Sequence, residues 1–212
     1  MENRAAAALL MYPPKPAMVG VKTEGQLLKF YNLGKHTEWR YKSLHTKEPE
    51  TIDWLNQIQP GEVLWDIGAN VGLYTIYAAA IRQARVLAFE PLASNYFVLN
   101  KNIELNGLDS RVHAFCLAFA NHTLADVLNV KSSEPGMAQC GFEEAINDAG
   151  KKFTPTFRQG MVGYSIDEYI ERFNPDFPNH IKIDVDGIEE RIVAGAEKTL
   201  RDPRLKTLSI EL

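Results

Sequence analysis

Little in this sequence can build a metal cluster or a covalent staple. Two cysteines, Cys116 and Cys140, stand among 212 residues. They make no CxxC pair, and no Cys/His group has zinc spacing, so neither a zinc module nor a disulfide scaffold is expected. The thiols are read as reduced, in a cytoplasmic protein. No apolar run approaches the roughly 18 residues of a membrane span. The opening MENRAAAALLMYPPKP makes a poor secretory leader, with one arginine, the acidic Glu2, and prolines soon after its short apolar run. It is read as a frayed or loosely docked arm. Basic surplus is absent, since 23 Lys and Arg face 27 Asp and Glu for a formal net charge of −4. That speaks against nucleic acid as a partner, which needs a basic face or stripe. Repeats and low-complexity tracts are missing as well.

What is present is an ordinary globular composition, 45% hydrophobic and 24% charged, at a length suited to one domain with a sizeable core. Residues 1–47 are the least regular and are set apart as an N-terminal arm on the acceptor side of any site. Within it QLLKFY at 26–31 suits a strand, and Lys35, His36, Arg40, Lys42, His45 and Lys47 make this end locally basic. His36, Arg40 and His45 are read either as a solvated basic arm or as the lining of an acceptor pocket.

From Pro49 the pattern sharpens. Ile52, Leu55 and Ile58 recur at helical spacing, with Pro49 in the first turn and Pro60-Gly61 as the stop. VLWDI at 63–67 is a short buried strand, and a glycine turn follows at 68–72. Leu73, Ile76, Tyr77 and Ala80 then mark one helix face. RVLAF at 85–89 is the next strand, ending at Glu90-Pro91; a helix over about 93–105 is stopped by Asn106-Gly107. Strands are expected at 111–118 and 124–130, and the polar, glycine-rich residues 131–160 are read as a long functional loop. Ser165 and Glu168 form a capping box for a helix striped by Ile166, Ile170 and Phe173. HIKIDV at 180–185 is a strand, Ile188, Ile192, Ala196 and Leu200 mark one helix, and KTLSIEL at 206–212 is a last strand. Strands alternating with helices predict an α/β fold with a doubly wound, mostly parallel sheet. Ligands of such sheets sit beyond the carboxyl ends of the strands, near the switch point. Asp66, Glu90 and Asp184 fall at those ends.

The turn Asp66-Ile67-Gly68-Ala69-Asn70-Val71-Gly72 is the informative element. A dinucleotide fingerprint needs G-x-G-x-x-G, whose second glycine lets the backbone approach a pyrophosphate. Asn70 stands at that position and Leu73 at the third glycine; the Gly-Lys-Ser/Thr of a P-loop is absent. Such a turn is poor for phosphate but open to a bulky uncharged or cationic ligand, with Asp66 adding negative charge. S-adenosylmethionine (SAM), with a sulfonium, an ammonium, a carboxylate and a ribose, meets those constraints. Glu90 can accept both ribose hydroxyls, although a carboxylate there serves NAD and SAM equally.

The run VLWDIGANVGLYTIYA at 63–78 resembles the first motif of FkbM-type methyltransferases. So do Phe89-Glu90-Pro91, Asn100 and Asn102, Ser165-Ile166-Asp167, and KIDVDGIE at 182–189 with Gly195-Ala196; Lys47-Glu48-Pro49-Glu50-Thr51 is similar to a motif of one subgroup. The resemblance spans roughly 45–212, with 131–160 as a gap. It implies a Rossmann-like class I methyltransferase domain over 48–212, SAM as methyl donor, and usually an O-methyl product on a sugar, glycan or natural-product acceptor. By position it implies that Asp66, Gly68, Asn70 and Gly72 surround the methionine part of SAM. Glu90 would hold the ribose, Leu117 and Ala118 would border the adenine, and Asp184 would sit by the ammonium or the acceptor.

Methyl transfer to an alcohol requires alignment and removal of a proton. Asp184 is the first candidate base, or else a plain ligand-binding carboxylate; His180 is the second, or else a satisfied histidine at a strand start. Asp186 and Glu189 flank a helix start, where carboxylates favour the dipole anyway. Asp184 and Asp186 also suggest a metal pair, but neighbours at that spacing on a strand end need a third ligand, and no metal is expected. The last strand ends the sequence where a methyltransferase sheet usually continues with a helix and an antiparallel strand pair. A sheet without that pair is therefore expected, whether by truncation or by design, with an open edge available for self-association. Two other readings stay open: a non-catalytic SAM-fold binding or scaffold protein, and an NAD-dependent oxidoreductase, the latter disfavoured by Asn70 and Leu73.

Overall fold

The computed structural model describes residues 17–138, 140–146 and 151–211. The opening stretch read as a loose arm, up to residue 16, lies outside the described residues, as does Leu212. The chain then forms an antiparallel hairpin of β1 (Ala17–Thr23) and β2 (Gln26–Asn32), followed by helices α1 (Lys35–Lys42) and α2 (Pro49–Leu55). The basic segment is not a solvated arm: Leu28, Phe30, Tyr41 and Leu44 are buried in the main core. Burying side chains of this size stabilises by about 1.5–3 kcal/mol each, which is why a segment with so little visible periodicity docks.

β3 (Val63–Ile67), α3 (Leu73–Ala80), β4 (Arg85–Phe89), α4 (Ala93–Asn106) and β5 (Val112–Phe115) follow as parallel βαβ units. α4 also ties down the hairpin. Asn102 Oδ1 accepts the Tyr31 N–H at 2.7 Å while its amide donates to the Val71 carbonyl, also at 2.7 Å. Asn106 accepts the Lys29 N–H and donates back to the Lys29 carbonyl. Asn102, one of the residues that carries the family resemblance, is thus a buried bracket; Asn100 is exposed and bonds only the Tyr96 carbonyl of its own helix.

β6 (Ala118–Phe119), β7 (Leu124–Val130), β8 (Cys140–Phe142) and β9 (Phe157–Tyr164) build a second sheet in the order β6-β9-β7-β8. Two expectations change here. The strand expected over 111–118 is divided between the two sheets, and the span 131–160 is not a structureless loop, since it contains β8, an Ile146–Lys152 bridge and the start of β9. Glycine hides these strands from the sequence pattern. A Cβ at Gly163 would fall 2.4 Å from the Phe142 ring, and one at Gly141 2.1 Å from the Glu144 carbonyl oxygen, so close packing replaces side-chain alternation.

α5 (Ile166–Phe173) starts at the expected cap, with Ser165 Oγ accepting the Glu168 N–H at 3.2 Å. β10 (His180–Ile183) returns to the first sheet, and β11 (Thr207–Ile210) forms its edge. Between them the single helix expected over 188–200 is broken into α6 (Glu189–Ala194) and α7 (Glu197–Arg201). A Cβ at Gly195 would meet the Ala120 carbonyl oxygen at 2.4 Å, and Asp167 caps the second piece by accepting the N–H groups of Lys198 and Thr199. The first sheet runs β11-β10-β3-β4-β5 with every pairing parallel. It is the doubly wound topology, with its switch between β3 and β10. One face packs on α3, α4 and the hairpin; the other packs on an aromatic cluster of Trp65, Phe89, Phe119 and Tyr169. No described helix is long and apolar enough to cross a membrane.

Candidate active site

The turn after β3 presses on the switch point. Gly68 has φ +83°, and a Cβ there would lie 1.8 Å from the Asp184 carbonyl oxygen at the end of β10. Only glycine allows this approach. Gly72 also has φ +83°, but a Cβ on it would meet Leu99 of α4 at 2.4 Å. Its glycine serves packing of α3 on α4, and it does not line the cleft described next.

Every backbone N–H from Gly68 through Gly72 is taken inside the protein. Gly68 and Ala69 both donate to the Phe89 carbonyl, at 2.9 and 3.0 Å. Asn70 donates to Glu90 Oε2 at 2.8 Å. Val71 donates to Asn70 Oδ1 at 2.9 Å, and Gly72 to the Ala69 carbonyl at 2.8 Å. A phosphate cradle needs free amides; this turn offers none.

Beyond the turn opens a cleft with a cavity volume of about 90 Å³. Gly68, Asn70, Glu90, Ala118 and Asp184 line it, together with Asn95, Phe119 and Asp186, which the sequence reading had not placed there, and with Phe142 of the second sheet. A smaller chamber of about 20 Å³ shares Arg40, Gly68, Asn70 and Asp184 with it and adds Lys47, Glu48, Asp66 and Tyr74. Asp66 and Glu90 therefore face adjoining chambers on either side of one turn. Leu117 is turned away: it packs on the aromatic cluster and lines a separate outer groove with Tyr169 and Phe173.

Glu90 is buried. Its Oε1 accepts the Leu92 N–H at 2.9 Å and the Asn95 amide at 3.4 Å, and its Oε2 accepts Asn70. A carboxylate offers about four acceptor positions, so Oε2 keeps one for a ligand hydroxyl. Burial pushes the Glu90 carboxyl up to about 7 against the pull of those donors.

Asp66 is 1% exposed and accepts the Thr75 hydroxyl at 2.5 Å. Burial raises its pKa while the charge of Lys182 opposes the rise. Lys182 is its register partner across the β3–β10 pairing, 3% exposed, with Nζ 2.5 Å from Asp184 Oδ2. Burial would raise the Asp184 carboxyl, but Lys182, a hydrogen bond with Glu211 and the charge of Lys47 together hold it below its ordinary value. Glu211 moves the other way, to about 7, through burial and the neighbouring Asp184. Oxygens of Glu48, Asp184 and Glu211 lie within 4.8 Å of one another. Lys47 pairs with Glu48 and with Glu211, and the Tyr74 hydroxyl donates to Glu48 at 2.9 Å. Asp184 and Asp186 do not converge, since Asp186 turns to accept the Cys140 N–H at 2.9 Å.

His180 lies at the other end of β10. It is buried, within 2.7 Å of the Thr207 hydroxyl and 2.8 Å of Glu62, and lines neither chamber. A base role at strand tips does not fit a side chain at the strand start. Glu189 is the first residue of α6 and lines neither chamber. His36 pairs with Glu134 at 3.2 Å, and His45 packs edge-on against Tyr77. A strap over residues 134–138 closes one side of the cleft. The Met137 carbonyl accepts both the Asn70 and Asn95 side-chain amides, at 3.1 Å each, and the Gly136 N–H donates to Asn95 Oδ1 at 2.8 Å. One overlooked signal was available in the sequence: a lysine inside the otherwise apolar strand HIKI demands a buried anion.

A doubly wound sheet with a glycine turn closed to phosphate and carboxylates at adjoining strand tips defines a methyltransferase of the Rossmann-like class. Residues 66–212 match the family described as Methyltransferase FkbM domain, and the chain belongs to that family. It is 25% identical over 197 residues to Methyltransferase sdnD of Sordaria araneosa, covering 82% of this chain and 75% of that protein. It is 24% identical over 163 residues to Hexuronic acid methyltransferase AglP of Haloferax volcanii, covering 77% of this chain and 62% of the archaeal protein. Among solved structures, Precorrin-6y C5,15-methyltransferase of Geobacter metallireducens GS-15 aligns with a TM-score of 0.45 at 15% identity, over 80% of this chain and 64% of that one.

Proposed function

We propose that this protein transfers a methyl group from SAM to a hydroxyl of a sugar, glycan or natural-product acceptor. The observation that carries the donor assignment is the consumption of every turn amide from Gly68 to Gly72. A pyrophosphate would find no backbone donors in that turn, whereas a nucleoside with a zwitterionic tail needs a carboxylate for its ammonium, which the two chambers supply. Fit supports the same reading: Glu90 keeps one acceptor position for a ribose hydroxyl, Ala118 and Phe119 offer an apolar wall for adenine, and Gly68, Asn70 and Asp184 surround the place for the methionine end. Bound there, SAM supplies an electrophilic methyl on sulfur. The chain aligns the acceptor against it, an effect with a ceiling of about 10⁵–10⁸ M in effective molarity. Asp184, ionised beside Lys182, takes up the acceptor proton, help of roughly 10²–10⁴-fold, and Glu211 shares that proton. The likeness to a hexuronic acid methyltransferase supports a sugar as acceptor. Calorimetry with SAM, S-adenosylhomocysteine and NAD tests the donor, and labelled SAM against a panel of uronic acids, glycans and hydroxylated metabolites tests the acceptor. Binding of NAD without binding of SAM removes the proposal.

A further inference from the structure

The cations around the two chambers are unequal. Lys182 is bound to Asp184, and Lys47 to Glu48 and Glu211. Arg40, from α1, lines both chambers, yet no carboxylate lies within ion-pair distance of it among the described residues. Its Nε donates to the Gly136 carbonyl, which sets the plane of the guanidinium. Its two terminal nitrogens carry no bond to any described residue. Gly136 can accept Arg40 because it lies against α1, with φ +86° and a would-be Cβ 2.9 Å from the Thr37 nitrogen. The sequence thus assembles a half-buried guanidinium fork, held by one nitrogen and open at the other two. Such a fork fits a carboxylate in two parallel hydrogen bonds, a geometry that lysine does not reproduce.

We infer that Arg40 grips the carboxylate of the methionine end of SAM, an assignment that rests on the donor reading above. The walls common to the two chambers are Arg40, Gly68, Asn70 and Asp184. A zwitterionic tail lodged there needs one anion for its ammonium and one cation for its carboxylate. The anion falls to the carboxylates of the smaller chamber, Glu48 and Asp66, and Arg40 supplies the cation. Through the Gly136 carbonyl the same side chain also couples the donor's tail to the strap that closes the cleft.

The test is calorimetry on wild type, Arg40→Gln and Arg40→Lys with two probes. S-adenosylhomocysteine carries the amino-acid tail, and 5′-methylthioadenosine lacks it. Arg40→Gln should weaken S-adenosylhomocysteine roughly 10- to 100-fold, as expected for loss of a charged bidentate hydrogen bond, and leave methylthioadenosine within about twofold. Arg40→Lys should recover part of the loss. Retained methylthioadenosine affinity also certifies that the variant is folded. The inference falls if S-adenosylhomocysteine binds Arg40→Gln as well as wild type, as it would were the fork reserved for an acidic acceptor. It falls as well if both probes weaken equally, because Arg40 would then only hold the strap. Binding of neither probe by wild type would overturn the donor reading itself, and this inference with it.

Discussion

Replacing Glu90 by glutamine should change how stability depends on pH. In the folded protein, burial raises this carboxyl from the usual 4.5 to about 7. The folded state therefore holds a proton between those values that the unfolded chain has released. Stability is linked to that difference: where the folded state binds more protons, stability falls as pH rises. Glu90 thus contributes most below pH 4.5, and its contribution is lost as pH climbs through 7. At about 1.4 kcal/mol per pH unit, the whole interval corresponds to about 3 kcal/mol, of which roughly 2–3 kcal/mol falls between pH 5 and pH 8. Glutamine does not titrate. It also sets an amide beside the N–H donors of Asn70 and Leu92, a cost that does not vary with pH. The wild type's advantage over Glu90→Gln should shrink by that 2–3 kcal/mol from pH 5 to pH 8. At this chain length that is roughly 4–12 °C in the difference between thermal midpoints. Urea unfolding of both proteins at four pH values, without ligand, measures it. Glu211, whose pKa is also raised, titrates in both proteins and cancels in the comparison. An advantage that stays constant or grows with pH would mean that Glu90 is ionised and well solvated in the fold, and the account of the ribose end would fail.

Further outcomes follow from the same geometry. Asp184→Asn should lower the rate of methyl transfer by roughly 10²-fold or more, whereas Glu189→Gln, outside both chambers, should leave it within a few-fold; equal effects would count against Asp184 as base. Gly68→Ala places a carbon on the Asp184 carbonyl oxygen and should cost more than about 3 kcal/mol or prevent folding. Gly72→Ala meets only the tip of Leu99 and should cost about 1–2 kcal/mol, mostly from its left-handed backbone; denaturant titration separates the two. His180→Ala should cost about 1–3 kcal/mol by stranding Glu62 and Thr207 while turnover per folded molecule stays unchanged; a selective loss of turnover would return His180 to the mechanism.

The central sheet was legible because its strands are apolar on both faces and its helices begin and end with ordinary signals. VLWDI and RVLAF admit little else, and Ser165 and Gly107 cap where they are expected to. The strand-tip carboxylates were legible for the same reason, since position along a short strand decides which end a residue occupies. By that rule His180, the first residue of HIKI, belongs to the far end, and proximity to Asp184 in sequence was misleading. The second sheet was not legible, because glycines at 141 and 163 stand where a side chain would strike the Glu144 carbonyl or the Phe142 ring, which breaks the alternation. Arg40 was visible as a basic residue but its task was not. What distinguishes it from Lys47 is the absence of a neighbouring carboxylate, a fact of tertiary structure alone.

The distribution of charge in the cleft bears on catalysis as well as on binding. With SAM as the proposed donor, methyl transfer removes the positive charge from sulfur, so a pocket lined only with carboxylates would hold the charged donor more tightly than the transition state and would slow the reaction. Lys182 reduces this effect. It stands across the strand pairing from Asp66 and touches Asp184, so one buried cation offsets part of the charge of two of the nearest carboxylates, while Lys47 does the same for Glu48 and Glu211. The net field at the strand tips is weaker than the count of acids suggests. The main work left to the protein is alignment, for which rigid parallel strand ends are better suited than loops. On the proposed function, choice of acceptor falls to parts that differ from the sheet in kind, namely α1 and the strap over residues 134–138. They meet at the bond from Arg40 to Gly136, where, on the inference above, a change in the strap reaches the donor's tail without passing through the sheet.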